Sequence, residues 1–247
     1  MLIEHHPDPA DRFDRLRLLA GDAAVARLNG RHVAVFGLGG VGSHAVEALA
    51  RAAIGELTLV DFDRISPSNI NRQSHACDQT VGRYKAEVLA ERCRAIHPAL
   101  RLHVHLERYS PATAPQLLAP AYDMVLDCID QIGAKIDLIC HCRQAGIPLM
   151  SALGAGNKTD PAQVCLGDLF ASRHCRLARV LRKELRRRGV SGPLPAVYST
   201  ELPRQRSGGR DAAGAKAALG SISTIPALFG LMLAGQLLHQ WLAPADS

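Results

Sequence analysis

The chain has 247 residues, enough for one large α/β domain or for one domain with an extended tail. Hydrophobic residues make up 47% of it and charged residues 21%, which excludes a disordered or fibrous protein. The net charge of +6 comes mainly from arginine, whose planar guanidinium binds phosphate, so the charge favours an anionic partner.

The first thirty residues are predicted to form an N-terminal helical arm (1–30). They mix acids, bases and prolines before any apolar stretch, which fits neither a secretory signal nor a transit peptide. The seven cysteines contain no CxxC pair, so reduced thiols are favoured over a disulfide framework or a four-sulfur zinc site. Both features predict a cytoplasmic protein.

An apolar strand, a glycine cluster and an amphipathic helix follow the arm. The strand is RHVAVFG (31–37), and the helix SHAVEALARAAIG (43–55) is closed by its final glycine. The next strand, ELTLVD (56–61), completes a βαβ unit. This unit predicts parallel strands that are joined by a helix.

Three more strands extend the predicted sheet. After a loop and the helix RYKAEVLAERCRAIHP come LRLHVHLER (100–108), YDMVLDCID (122–130) and IPLMSAL (147–153). Strands that alternate with helices predict a Rossmann-like, doubly wound, mostly parallel α/β sheet. Residues 31–170 are predicted to form this domain, in which AQVCLGDLF is compatible with one more strand.

Residues 171–247 are predicted to be a C-terminal extension of the same domain. It consists of an arginine-loaded helix (171–188), a mobile linker (204–221) and an apolar stretch (222–242). The apolar stretch is long enough to span a bilayer. Its proline, glutamines and histidine favour instead a helix that packs on the sheet or on a second subunit, so membrane association is not expected.

Two groups of residues contain potential metal ligands. Cys140 and Cys142 flank a histidine, but residues two apart on a helix point to different faces, so the two sulfurs are not expected to share an ion. His103 and His105 share one face of a predicted strand. Two histidines without a third ligand favour surface residues over a metal site.

The glycine cluster predicts a phosphate-binding turn. Gly37, Gly39 and Gly42 match the GxGxxG pattern, in which glycines allow a tight turn and the following helix offers free N–H groups to an anion. Asp61, at the end of the next strand, is placed to accept hydrogen bonds from a ribose. These features predict nucleotide binding but do not separate NAD from ATP.

The loop after Asp61 favours ATP. Attack at an α-phosphorus develops negative charge that cations must offset, and the loop and the next helix supply polar and cationic side chains, namely Asn69, Arg72, Gln73 and Lys85. Asp127 and Asp130 end the fourth strand at the carboxyl edge, where carboxylates bind Mg²⁺. Asp130 is the predicted Mg²⁺ ligand, and Asp127 is expected to cap a helix or to pair with an arginine.

The motifs GLGGVGS, VDFD, NINRQ, VGRYKAE and DCID jointly resemble the ubiquitin-activating-enzyme-like adenylating superfamily of ThiF and MoeB, over residues 12 to about 155. The resemblance implies ATP and Mg²⁺ as cofactors and a homodimer, with Arg15 supplied across the dimer to the neighbouring site. It implies that Asp130 ligates Mg²⁺ and that Asp61 and Asp63 lie around the ribose and the magnesium. The ATP would be held by Gly37, Gly39, Gly40, Gly42, Asn69, Arg72, Gln73 and Lys85, of which Arg72 and Lys85 act in catalysis with Asp130 and Arg15.

Longer stretches, including NINRQSHA, SALGAGNKTDPAQVCLGDL and GSISTIPALFG, look like the branch of this superfamily that dehydrates threonylcarbamoyladenosine in tRNA. That branch uses ATP to adenylate the threonyl carboxylate of the modified adenosine beside the anticodon, and a ring then closes with loss of AMP. The missing CxxC pairs point away from branches that activate carrier proteins. Two alternatives stay open, an adenylating enzyme for a ubiquitin-like or sulfur-carrier C-terminus and a nucleotide-binding module without catalysis, as does a sulfur-relay protein partner.

Residues 173–189 carry eight basic residues and a single acid. At helical spacing, Arg176, Arg179, Lys183 and Arg187 share one stripe, and the opposite, core-facing stripe is predicted to contain Leu177, Val180, Leu181 and Leu185. The basic stripe is either a solvated face or a surface that holds the tRNA backbone.

Overall fold

The strands and helices alternate through most of the chain, as the sequence predicts. A computed structural model describes residues 11–202 and 219–243. Its strands are β1 (His32–Phe36), β2 (Glu56–Val60), β3 (Arg101–His105), β4 (Met124–Asp127), β5 (Leu149–Ala152), β6 (Val164–Asp168) and β7 (Pro195–Ser199). Its α-helices are α1 (Asp14–Ala20), α2 (Asp22–Asn29), α3 (Gly42–Arg51), α4 (Lys85–Ile96), α5 (Ala114–Leu117), α6 (Ile132–Ala145), α7 (Arg176–Arg187) and α8 (Thr224–Leu242).

All seven strands form one sheet in the order β3-β2-β1-β4-β5-β7-β6. Every pair is parallel except β6 with β7, so the predicted doubly wound α/β class is confirmed. The strand order reverses between β1 and β4, which opens a crevice at their carboxyl ends. β6 confirms the additional strand, whereas β7 was not predicted.

Helices cover both faces of the sheet. One face of β1, with Val33 and Val35, packs in a core with α3, α4 and α8, and the other face, with Ala34 and Phe36, packs against α5 and α6. Strands that are buried on both faces read as continuous apolar runs, which explains why β1 and β4 have no polar alternation. Cys140 and Cys142 of α6 lie in two separate clusters, in agreement with their expected divergence.

The apolar C-terminal stretch forms α8, which is long and apolar enough to cross a membrane by length and composition. In the structure it packs on the sheet and on α3, and it buries Ile225, Phe229 and Leu233. A Cβ added at Gly230 would lie 2.2 Å from the carbonyl oxygen of Val41, so the two helices touch backbone to backbone. The packed alternative is therefore the one observed; most of the predicted linker, 203–218, lies outside the described residues.

The structure of the basic helix α7 differs in one part from the predicted core-facing stripe. Leu181 and Leu185 are buried as expected, but Val180 is 40% exposed, and Ala178 takes the buried position in its place. The helix begins only at residue 176, because residues 169–171 form a separate 3₁₀ turn. The core-facing side of α7 is thus narrower than predicted.

Candidate nucleotide-binding site

The glycine turn connects β1 to α3 at the carboxyl edge of the sheet. Gly37 has a φ of +87°, and a Cβ there would lie 2.8 Å from the carbonyl oxygen of Cys128. A Cβ at Gly42 would lie 1.9 Å from the carbonyl oxygen of Gly37. Both positions therefore require glycine for the fold itself.

Gly39 is different, because the protein around it leaves room for a side chain. Among the described residues beyond its chain neighbours, only Nε2 of Gln73 comes within 4 Å of a Cβ added there, at 3.9 Å. Gly39 thus borders open space on the side that faces Gln73. The absence of a side chain at Gly39 suits a ligand that approaches the backbone closely, as phosphates do at such turns.

Asp61 ties the end of β2 to the glycine turn. Its Oδ2 accepts a hydrogen bond from the N–H of Leu38 at 2.6 Å, and its Oδ1 accepts one from the N–H of Asp63 at 2.8 Å. Burial raises the pKa of Asp61, and the charge of Lys85 opposes that rise. Each carboxylate oxygen has a second acceptor position, so Asp61 can still accept a hydrogen bond from a ribose hydroxyl.

Lys85 begins α4 and is 6% exposed. Its Nζ lies 2.7 Å from Oδ2 of Asp63, and its backbone N–H donates to the carbonyl of Asp63 at 3.0 Å. No local sequence pattern indicated this ion pair. An ammonium has three donors, so Lys85 keeps hydrogen-bonding capacity for phosphate oxygens while Asp63 orients it.

The loop with Asn69, Arg72 and Gln73 contains polar groups that have hydrogen-bond partners and others that have none among the described residues. Oδ1 of Asn69 accepts from the N–H of Ser66 at 3.1 Å, and Nη1 of Arg72 donates to the carbonyl of Ser68 at 2.7 Å. Arg72 packs over Gly40, where an added Cβ would lie 3.3 Å from Cγ of Arg72. These contacts hold the loop against the glycine turn.

Three consecutive residues of this loop bury polar atoms that have no hydrogen-bond partner among the described residues. They are Oε1 of Gln73, Oγ of Ser74 and both ring nitrogens of His75. Burial lowers the pKa of His75 to about 4, with a further contribution from Lys85, so its ring is neutral. Buried polar groups are rarely left unpaired, and since Gln73, the first of the three, lies next to Gly39, the group fits the edge of a ligand site. Sequence reasoning missed His75, although it follows Gln73 by only two positions.

Asp127 is fully buried beneath the turn. The sequence predicted that it would pair with an arginine or cap a helix, and it does neither. Its Oδ2 lies 2.7 Å from Nζ of Lys135 and accepts a hydrogen bond from Oγ of Ser151 at 2.7 Å. Lys135 lies on the buried face of α6, where a cation is not expected without a paired acid. These buried partners leave Asp127 no role as a ligand of an external ion.

Asp130 and Arg15 are both exposed. Asp130 lies between the end of β4 and the start of α6, at the carboxyl edge of the sheet. An exposed carboxylate at this edge is a donor that Mg²⁺ accepts together with phosphate oxygens, so the residue fits the predicted role chemically. Arg15 lies on α1, and a single chain does not test its predicted role in a neighbouring site.

A glycine turn, an acid at the end of β2, and a cationic loop meet at the point where the strand order reverses. Together they define a nucleotide-binding protein of the Rossmann-like class. The chain belongs to the ThiF family, whose model matches residues 13–245. The resemblance inferred from the motifs is thereby confirmed.

Three relatives illustrate the similarity. The tRNA threonylcarbamoyladenosine dehydratase of Haemophilus influenzae is 35% identical over 243 residues, which cover 94% of this chain and 93% of that protein. Crystal structures of the E. coli tRNA N6-threonylcarbamoyladenosine dehydratase with AMP and with ATP superimpose with TM-scores of 0.86 and 0.85, at 36% and 35% identity. Each covers 94% of this chain, and this chain covers 94% and 93% of them. The E. coli molybdopterin-synthase adenylyltransferase is 32% identical over 206 residues, 77% of this chain and 81% of that protein.

Proposed function

We propose that this chain is an ATP-dependent tRNA threonylcarbamoyladenosine dehydratase. The observation that carries the proposal is the near full-length match, in both sequence and fold, to dehydratases of that name. The adenylyltransferase match covers a smaller share of the chain. The alternative, activation of a carrier-protein C-terminus, therefore has support only at the level of the family.

The proposed reaction has two steps. A carboxylate oxygen of the threonyl group attacks the α-phosphorus of ATP, and the bond to pyrophosphate breaks. A nucleophile in the same side group then attacks the activated carbonyl, a ring closes, and AMP leaves with the former carboxylate oxygen. The side group thus loses the elements of water, and proximity within one nucleoside supplies the second step.

The residues of the site suit the first step. Gly39 and the start of α3 would cradle the phosphates, and Asp61 would hold the ribose. Arg72 and Lys85 would offset the charge that develops on the phosphate oxygens and on the leaving group. Mg²⁺, held by Asp130, would neutralise part of the same charge when it is bound.

No enzyme thiol is needed for this chemistry. Cys128 is the cysteine nearest the glycine turn, but burial raises the pKa of its thiol to about 12, so it is not a nucleophile at neutral pH. The cysteines within the described residues are all free thiols, which supports a cytoplasmic location.

The tRNA would contact the basic side of α7. Arg176, Arg179 and Lys183 are exposed and form no ion pair within the ranges that the structure describes. Arg187, which the predicted stripe included, is already paired with Glu184 at 2.8 Å. The exposed cations at 176, 179 and 183 are therefore the better candidates for phosphate contacts.

Pyrophosphate release distinguishes the candidate functions. The purified protein is assayed with tRNA that carries threonylcarbamoyladenosine, with a carrier protein, and with neither. The proposal predicts release, and formation of AMP, only with the modified tRNA. Asp130→Ala and Lys85→Ala should each lower that rate about 10²-fold or more while the protein stays folded. Release that depends on the carrier protein would refute the proposal.

A charge reversal tests the tRNA surface. Replacement of Arg176, Arg179 and Lys183 by Glu should weaken tRNA binding without changing the affinity for ATP. The salt dependence should become flatter by roughly one log unit per lost phosphate contact. An unchanged salt slope would contradict this assignment and would direct attention to Arg204, Arg206 and Arg210, which lie outside the described residues.

The dimer and the shared Arg15 have their own test. Arg15→Ala and Asp130→Ala should each be inactive alone, but a mixture should recover activity, because a mixed dimer contains one intact site. A mixture that stays inactive would contradict the proposed exchange of Arg15. A sulfur-relay partner stays an open prediction, tested by co-purification with the full-length chain.

A further inference from the structure

Three potential metal ligands meet near the amino ends of β1 and β2 and the middle of β3, away from the glycine turn. In the strand register His32 lies beside Glu56, and Thr58 lies beside His103. Because side chains two apart on a strand share a face, these residues all project from the same face of the sheet. The sequence had singled out His103 but offered no third ligand, and the two neighbouring strands supply one each.

The three side chains lie close enough together to share one ion. The three ligand atoms all lie within 4.8 Å of one another. Nδ1 of His32 is 3.6 Å from Oε1 of Glu56, which is too long for a hydrogen bond. Two ligands of a tetrahedral ion with bonds of about 2.0–2.1 Å lie roughly 3.4 Å apart, close to this separation.

The remaining contacts orient the cluster. Nε2 of His32 lies 2.8 Å from Oγ1 of Thr58, and the ring of Tyr122 packs edge-on at 4.8 Å between centroids. When Nε2 donates to Thr58, the lone pair of Nδ1 faces Glu56, the arrangement that metal-bound histidines obtain from their outer partners.

Two contacts oppose metal binding, and both can give way. Nε2 of His103 donates to Oε1 of Glu56 at 2.7 Å, a contact that an ion between the two atoms would replace, and the His103 side chain is half exposed. Arg101 contacts the other oxygen, Oε2, at 2.8 Å, and so leaves Oε1 for an ion. Its guanidinium is 61% exposed, where water screens its repulsion of a cation.

We propose that His32, Glu56 and His103 bind a transition-metal dication of the zinc class. Two imidazole nitrogens and one carboxylate oxygen are ligands that such ions prefer. The fourth position faces solvent beside His103. The ion would join three neighbouring strands, and it would stabilise the sheet without touching the nucleotide site.

The test uses the full chain and compares variants. One equivalent of Co²⁺ should produce visible absorption bands, and Zn²⁺ should raise the Tm of the wild-type protein. His103→Ala and Glu56→Gln should each weaken Zn²⁺ binding at least about tenfold, as loss of a ligand does. His105→Ala is the matched control, since this histidine lies on the same strand and face but outside the cluster, and it should bind like the wild type.

The comparison with His103→Ala distinguishes Zn²⁺ binding at this cluster from Zn²⁺ binding to other histidines, such as His5 and His6, which lie outside the described residues. No Tm increase with Zn²⁺ in the wild type would overturn the proposal. An equal increase in wild type and His103→Ala would overturn it as well, and would leave the cluster as an ion-pair network. Pyrophosphate release should be the same in wild type and His103→Ala, so this test is independent of the proposed dehydratase activity.

Discussion

Lys135 is the side chain whose removal should damage this protein most clearly. Its ammonium and the carboxylate of Asp127 are both fully buried and 2.7 Å apart. Lys135→Met keeps most of the volume but leaves Asp127 with only the Ser151 hydroxyl and the N–H of Ile129 as partners. Breaking a buried ion pair by removing one member costs about 3–5 kcal/mol. At about 2–4 °C per kcal/mol for a domain of this size, the Tm should fall by roughly 6–20 °C.

A double-mutant cycle identifies the cause of that loss. Asp127→Asn is made alone and together with Lys135→Met, and free energies of unfolding are measured by denaturant titration. Because the double variant contains no unpaired charge, it should be more stable than the sum of the single effects predicts, by roughly 2 kcal/mol or more. Lys183→Met, on the exposed side of α7, is the control and should change stability by no more than about 0.5 kcal/mol. Strictly additive effects, or a Tm of Lys135→Met within about 2 °C of the wild type, would refute the reasoning.

Three further predictions concern the nucleotide site. Gly39→Ala should weaken ATP binding, measured by calorimetry, at an unchanged Tm. Gly42→Ala should lower the Tm, because its Cβ would lie 1.9 Å from the carbonyl oxygen of Gly37. Equal losses of Tm in the two variants would contradict this distinction. The pKa of His75 is lowered to about 4 from an ordinary 6.5, so the unfolded state takes up a proton first as pH falls and stability is lost between pH 6.5 and 4. Urea titrations at pH 7 and 4.5 should show that the free energy of unfolding falls by about 2–3 kcal/mol less in His75→Gln than in the wild type. An equal fall in the wild type and the variant would contradict this prediction. Cys128→Ala should still form AMP with modified tRNA, and a folded, ATP-binding but inactive variant would show that the thiol participates.

The sequence predicted the elements whose signals are local. The glycine spacing, the apolar runs of β1 and β4 and the helical period after Gly42 all depend on neighbours within a few residues, and each corresponds to an observed element. The strand β7 follows a stretch with two glycines and a proline, so no periodic signal precedes it.

Contacts between residues that are far apart in the sequence could not be predicted from local patterns. Lys135 stands in a helix that is otherwise apolar on its buried face, and the acid that neutralises it is eight positions away in a different element. His32 and His103, the proposed metal ligands, are separated by more than half of the domain and meet only through the strand register. A pattern can indicate that a side chain is buried, but only the fold decides which partner it meets.

The apolar stretch near the C-terminus shows how a composition signal acquires its meaning from the fold. By composition it is long enough to span a membrane, but its polar residues predicted packing on the sheet or on a second subunit. A Cβ added at Gly40 of the phosphate turn would lie 2.9 Å from Cβ of Pro226, in the first turn of α8. Asn71, next to Arg72, donates to the carbonyl of Ser221 at 3.2 Å, just before the same helix. The start of α8 therefore packs directly on the turn and on the loop of the nucleotide site. Hydrophobicity in α8 is needed to hold this end of the chain against a site formed mostly by residues 37–85, which explains why so apolar a helix belongs to the core of the domain.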